Sequence, residues 1–212
     1  HRMAVVREQM DEAIQQFRSD CQAADVDHRV AIEEGDPCSL LIDRSRYHDL
    51  VAFGVPGILA FGHPSQSQGL LGPLVTNGVR PLLAVAAEYR PVRRVMIAYS
   101  GSRESAKTMR RFAQIDPWPD VTVEVVTFQQ SADAAEQLLT AAAEYVADHG
   151  FEATTEHVSA SPREGILRYV AEHDIDLIVM GYRVRSQLMK KLMGETGFHV
   201  LSHTGRPVFL SQ

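Results

Sequence analysis

The sequence predicts an α/β protein built on a parallel sheet, and three observations carry that reading. From residue 93 to the end, short apolar runs alternate with helix-forming stretches, the pattern of βαβ units. One run, IDLIVMG (175–181), is nearly all apolar, as a strand buried on both faces of a parallel sheet must be. The third observation is an internal repeat: residues 26–54 align with 151–181, so that Pro37 falls opposite Pro162, Asp49 opposite Asp176 and Gly54 opposite Gly181, at an offset of 125 to 127.

The elements follow in order. HRMAVVREQMDEAIQQF (1–17) reads as an amphipathic helix and lacks the continuous apolar core of a secretion signal. VAFG (51–54) and LLAVAA (82–87) are the apolar runs of the first unit, and GVRPLLAVAA (78–87) matches TGRPVFLSQ (204–212), so each copy closes with Arg-Pro and a strand. In the second unit RRVMIAYS (93–100) is a strand, ESAKTMRRFAQI (104–115) a helix and VTVEVVTF (121–128) a strand with Thr122, Glu124 and Val126 on one face. SADAAEQLLTAAAEYVADHG (131–150) carries helix start and stop signals in Ser131 and Gly150. EATTEHVS (152–159) is a strand. SPREGILRYVAEHD (161–174) is a helix with Pro162 in its first turn, and Ser161 with Glu164 has the spacing of a capping box. After the strand 175–181 come helical segments within 186–205 and a last strand, RPVFLSQ. Two units are expected, 1–90 and 91–212.

Composition narrows the function classes. A formal charge of −6 over 212 residues argues against nucleic acid as a partner, which would ask for a basic face. The longest nearly apolar run, 51–62, is broken by Gly54, Pro56 and Gly57 and falls short of the roughly twenty residues of a membrane-spanning helix, so no membrane partner is expected. Cys21 and Cys38, the only cysteines, read as thiols of a reducing cytoplasm. His199 and His203 stand at i, i+4 without a third ligand at a metal-site spacing, and no metal site is assigned.

Parallel sheets bind ligands beyond the carboxyl ends of their strands, at the switch point. Two loops sit at such ends: Ser100-Gly101-Ser102 after the first strand of the second unit, and Gly181 to Gly194 after the fourth. With the turn AYSGSRES, the DLIVMG loop and the terminal Arg-Pro strand, the chain resembles the universal stress protein family in tandem form. The resemblance implies Rossmann-like units related to adenine-nucleotide hydrolase folds, each with a five-stranded parallel sheet in the order 3-2-1-4-5, and members that dimerise through their last strands, hence a homodimer here. It implies ATP with Mg²⁺ as the ligand, lying against Ala98, Ser100, Val126, Met180, Gly181, Arg183, Gly194 and Thr196.

The motif residues depart from the family pattern. Nucleotide-binding members carry Asp at the end of the first strand, where this chain has Ser100. In the GxxG, nine residues, Gly-Ser/Thr loop, Gly181 matches, Val184 takes the second glycine, Gly194 matches, and Glu195 stands where the hydroxyl belongs, with Thr196 one residue later. A carboxylate beside a phosphate is repulsive unless a cation offsets it; Arg183, Arg185, Lys190 and Lys191 are the candidates. Gly181 and Gly194 equally suit plain turns, and Met180 a core position. The reading is a cytoplasmic, non-enzymatic stress-response module with a degenerate nucleotide site. Two alternatives stand beside it: an ATP-binding regulator using a shifted Gly181 to Thr196 loop, and an enzyme, since Ser100 to Ser105 also resembles the SGGxDS loop of ATP pyrophosphatases. No catalytic residue is assigned.

The repeat offset places residue 1 opposite Val126. Counterparts of the first strand, the first helix and most of the second strand are therefore missing from the first unit, which should leave a gap in its sheet for an upstream segment, another chain or a rearrangement to fill. Its own glycine loop, Gly54-Val-Pro-Gly57 with Gly69 beyond, is a poor phosphate loop because of Pro56 and the longer spacer. The terminal strands 82–87 and 208–211 are apolar sheet edges, best managed by pairing with each other about a pseudo-twofold axis.

Overall fold

The structure, a computed structural model, describes residues 2–54, 74, 77–78, 80–129, 132–182 and 195–211. Two compact units emerge, 1–36 and 37–212. The first contains helix α1 (Arg2–Ala23). Asp25, in the left-handed region at φ 53°, ends that helix, the Val26 N–H donates to the Cys21 carbonyl at 2.8 Å, and the Phe17 ring meets His28 edge-on at 5.7 Å. Residues 26–34 align in the repeat with a strand yet form none. A strand of that type pairs with the strand preceding it in its own unit, and no such neighbour occurs among the described residues before them.

The second unit is one seven-stranded sheet. Its elements are α2 (Pro37–Ser45), β1 (Val51–Gly54), β2 (Leu82–Val85), β3 (Arg94–Ala98), α3 (Arg103–Ile115), β4 (Thr122–Phe128), α4 (Ala132–Asp148), β5 (Glu152–Val158), α5 (Pro162–Glu172), β6 (Leu177–Gly181), α6 (Glu195–His203) and β7 (Val208–Ser211). The order is β1-β2-β7-β6-β3-β4-β5. The last five strands of that order follow the expected 3-2-1-4-5 arrangement, read from β5 to β7. β1 and β2, parallel to each other, continue the same sheet through an antiparallel pairing of β2 with β7, Leu83 opposite Phe209, the mutual pairing expected of the two terminal strands. Every other neighbouring pair is parallel. The outer edge of β1 carries no strand among the described residues.

Strand periodicity divides the core in two. Val95 and Ile97 of β3, Val123 and Val125 of β4, Leu177 and Val179 of β6 and Phe209 of β7 face one layer, with Met109 and Phe112 of α3 and Leu139 of α4. Met96, Val126, Phe128, Ile178, Met180, Val208 and Leu210 face the other, with Cys38 of α2, Ile166 of α5 and Val200 of α6. Helix α3 shows why it lies where it does: Ser105, Thr108, Met109, Phe112 and Ala113 form a buried stripe at helical spacing. The Thr108 hydroxyl donates to the Glu104 carbonyl at 2.8 Å and reaches the Ser211 carbonyl at 2.9 Å, tying α3 to the end of β7. The capping box expected at α5 does not form. Ser161 is the N-cap, but its hydroxyl donates to the Glu164 carboxylate at 2.8 Å instead of accepting from the backbone.

Candidate functional site

From β3 the chain crosses to β4 on one side, and from β6 to β7 on the other, so the carboxyl ends of β3 and β6 form the switch point at which such sheets take ligands. The turn leaving β3 is set by Gly101, whose φ of 73° favours glycine and whose missing Cβ would lie 2.6 Å from Leu138 Cδ1. Helix α3 then follows, with Ser102 as its N-cap.

Three hydroxyls meet there. Ser100 Oγ lies 3.0 Å from Ser102 Oγ and 3.3 Å from Ser105 Oγ, and Ser102 Oγ lies 3.2 Å from Ser105 Oγ. The Ser105 hydroxyl donates to the Ser102 carbonyl at 2.9 Å. The backbone N–H groups of Ser100, Ser102 and Ser105 donate to Ser105 Oγ, Ser100 Oγ and Ser102 Oγ at 3.4, 3.4 and 3.2 Å. Of the first-turn donors of α3 the Ser105 N–H is thereby spent on the Ser102 side chain, and the Ser100 and Ser102 N–H groups ahead of the helix are spent on the turn's own serines.

Gly181 closes the other side. A Cβ on it would sit 2.5 Å from the Ser105 nitrogen and 2.7 Å from Ser105 Cα, both backbone atoms. Its lack of a side chain is therefore required by the approach of α3 to the end of β6, whatever else the loop does. The next residue, Tyr182, donates its N–H to the Ser211 carbonyl at 3.2 Å, while its phenol is buried without a hydrogen-bond partner among the described residues. That burial pushes the Tyr182 phenol up to about 12.

A cavity of about 230 Å³ opens between these walls. Ala98, Phe128, Ile166 and Met180 give it an apolar lining, Ser100, Ser102 and Ser105 contribute hydroxyls, and Pro162, Glu195, Thr196 and Gly197 complete the lining. Glu195 opens α6, is 87% exposed in its side chain, and lies 3.8 Å from Arg163 Nη1. Among the described lining residues there is no lysine, arginine or histidine.

Of the residues expected at the site, Ala98, Ser100, Met180, Gly181 and Thr196 line this one cavity. Val126 does not: it is fully buried beside Ala98, and it contributes a carbonyl that accepts the Tyr99 N–H at 2.8 Å. Arg183 and Gly194 lie outside the described residues, as do Val184, the basic residues 185–191 and the glycine loop of the first repeat copy, 55–69. Sequence reasoning missed Phe128, Pro162, Ile166 and Tyr182. The period-2 alternation of β4 places Phe128 on the face of Val126 at the carboxyl end, a signal that could have found it. His199 and His203 stack at 4.4 Å between ring centres, and no group of three metal-ligating side chains occurs among the described residues. At the opposite end of the strands Glu124 is held by Arg94 at 3.3 Å and by the Tyr169 hydroxyl at 2.8 Å, which donates to it. Burial and that carboxylate both raise the Tyr169 pKa.

Comparison with known proteins agrees with this architecture. Residues 91–211 match the sequence model of the universal stress protein family. A universal stress protein of Synechocystis sp. is 26% identical over 148 residues, 67% of this chain and 52% of its own length, so the chain spans about half of that curated relative. The crystal structure of a universal stress protein from Archaeoglobus fulgidus superposes with a TM-score of 0.74 at 19% identity, covering 97% of this chain and 77% of that one. A universal stress protein solved in complex with cAMP superposes with a TM-score of 0.51 at 19% identity, over 58% of this chain and 98% of its own.

Proposed function

Because the chain belongs to the universal stress protein family, we propose that it is a non-enzymatic stress-response module whose nucleotide site is degenerate. The observation that carries this reading is the self-capped turn Ser100-Gly101-Ser102. Where nucleotide-binding relatives are expected to hold a carboxylate the chain has a hydroxyl, and the N–H groups of Ser100, Ser102 and Ser105 donate to serine oxygens of the turn itself. Glu195 at the start of α6 adds a negative charge where the phosphate-binding hydroxyl would stand. The fold itself accommodates a nucleotide in the relative solved with cAMP, so the departure lies in side chains and not in architecture.

The reading extends to organisation. The repeat supports a tandem origin, with residues 1–90 as a partial and 91–212 as a complete unit. The antiparallel pairing of β2 with β7 is the relation that a pseudo-twofold axis through the terminal strands would produce. No helix of the described residues is long and apolar enough to cross a membrane, which agrees with a place in the cytoplasm.

The test is calorimetric titration of the purified chain with ATP and Mg²⁺ up to millimolar nucleotide. Absence of a saturable heat is the expected result. Saturable binding would overturn the degenerate site and favour an ATP-binding regulator, for which Thr196, on the cavity rim, is the hydroxyl to substitute first. Release of pyrophosphate from ATP would instead establish the enzymatic alternative.

A further inference from the structure

We infer that the outer face of α3 is a docking surface for a second copy of this chain, that its occupant is the acidic outer face of α4 in that copy, and that two such contacts close a twofold dimer. The inference does not depend on the state of the nucleotide site.

Helix α3 buries Ser105, Thr108, Met109, Phe112 and Ala113 and leaves Arg103, Lys107, Arg110, Arg111 and Gln114 exposed. The four cations form one stripe at i, i+4, i+7 and i+8, about 12 Å long at roughly 1.5 Å per residue. Lys107, Arg110, Arg111 and Gln114 line an open hollow together. None of the four cations has an ion pair or a side-chain hydrogen bond among the described residues. Such spacing opposes the helix that carries it. Lys107 has like-charge neighbours in Arg103, Arg110 and Arg111, and Arg103 sets a cation at the positive end of the helix dipole. An anionic partner along the stripe offsets that repulsion. The stripe holds no aromatic ring for a base to stack on and no apolar residue to enter a lipid surface, so a row of protein carboxylates fits it better than nucleic acid or membrane.

Helix α4 supplies that row. It contains no lysine or arginine, and its exposed residues include Glu136, Thr140, Ala141, Glu144, Ala147 and Asp148. Glu136 and Glu144 have the sequence separation of Arg103 and Arg111, and Asp148 follows one turn later. The carboxylates of Glu136, Glu144 and Asp148 have no ion pair or hydrogen bond among the described residues. Ala141 and Ala147 between them leave room for long cationic side chains to lie across the helix.

The layer sets how two copies meet. Helix α3 lies over β6 and β7 and α4 over β4 and β5, on the same side of the sheet, and each runs back against the strand it follows, so the two are parallel. Two copies facing each other through this layer relate by an axis across the helices, which sets α3 on α3, or by one along them, which sets α3 on α4 of the other copy. Charge repulsion excludes the first and attraction selects the second. The edges of β7 are closed to a second copy, because β2 and β6 pair with it on its two sides, so a homodimer has to use another face.

The experiment is sedimentation equilibrium of the full chain across a wide concentration range, at low and at high salt. The parent should form a reversible dimer whose dissociation constant rises about tenfold or more in high salt. Lys107→Glu with Arg111→Glu, and separately Glu136→Lys with Glu144→Lys, should each weaken the dimer at least about tenfold. A mixture of the two variants, and one chain carrying all four substitutions, should recover the parent value to within about threefold. Circular dichroism melts check folding, and Lys107→Gln with Arg111→Gln serves as the milder variant of α3. A parent that stays monomeric at every concentration would overturn the inference, as would a dimer indifferent to salt and to the α3 substitutions. Loss of the dimer in both variants without recovery in the mixture or the combined chain would overturn α4 as the occupant.

Discussion

Among the described residues Tyr182 buries a phenol with no hydrogen-bond partner, and Thr127 buries a hydroxyl in the same condition. Folding strips both groups of water without returning a hydrogen bond, at a cost of about 1–3 kcal/mol each. Tyr182→Phe should therefore stabilise the chain by about 1 kcal/mol and raise its melting midpoint by about 2–4 °C, as calorimetric scanning would read; a lower midpoint would mean that the hydroxyl has a partner in solution. The same residue sets an alkaline signature. Its folded-state value, about 12, lies above the unfolded value near 10. The folded state thus holds the phenolic proton more tightly, and that stability is fully present below about pH 10 and lost as the pH rises toward 12. Urea midpoints measured from pH 8 to 12 should fall less steeply for Tyr182→Phe than for the parent chain. At Ser100 the expected change is a gain: Ser100→Asp combined with Glu195→Ser restores a carboxylate at the first strand and a hydroxyl at the phosphate end. Nucleotide affinity should rise at least about tenfold over the parent, and an unchanged affinity in titration would place the defect elsewhere.

The elements that carry the site were largely legible in the sequence, and the reason is local. Strands β3 to β7 and helices α3 to α5 have periods, caps and breakers that short-range physics reads correctly, and Ser102, accepting from the Ser105 N–H, caps α3 as its type and position suggest. What each glycine is for was not legible. Gly181 reads as a phosphate-loop residue from the motif, yet its Cβ would strike the backbone of Ser105, whereas its repeat partner Gly54 has no described atom within 4 Å of the same position. The pair makes a controlled comparison: Gly181→Ala should cost about 1–3 kcal/mol in urea unfolding through overpacking against rigid backbone, and Gly54→Ala should stay within about 0.5 kcal/mol. Equal costs would show that the approach of α3 to β6 relaxes. The capping box at α5 failed for an equally concrete reason: the Glu164 N–H donates to the Ser161 carbonyl at 3.1 Å, and the Ser161 hydroxyl turns to the Glu164 carboxylate at 2.8 Å.

Across the whole molecule the strands assigned to two units share one sheet, joined where β2 meets β7. Phe209 sits at that junction, fully buried, opposite Leu83 and edge-on to Phe112 at 5.6 Å. Phe209→Ala should cost about 3–5 kcal/mol and lower hydrogen-exchange protection in β2 as well as β7; protection lost in β7 alone would mean that β1 and β2 hold by themselves. Residues 1–36, a compact unit of their own, should be removable with the melting midpoint of 37–212 kept within about 2 °C. A larger drop would show that the second unit depends on them.

The sequence by itself determined the class of fold, the order of its elements and the departures at Ser100 and Glu195, because alternation, capping and repeats are written in neighbouring residues. Only the tertiary structure decided that the Ser100, Ser102 and Ser105 hydroxyls accept from N–H groups of the same turn, that Tyr182, Phe128 and Ile166 wall the cavity, and that β1 and β2 extend the sheet of residues 91–212. Those outcomes depend on distances between residues far apart in the chain, or on which of several hydrogen-bond partners a hydroxyl chooses, and packing sets both.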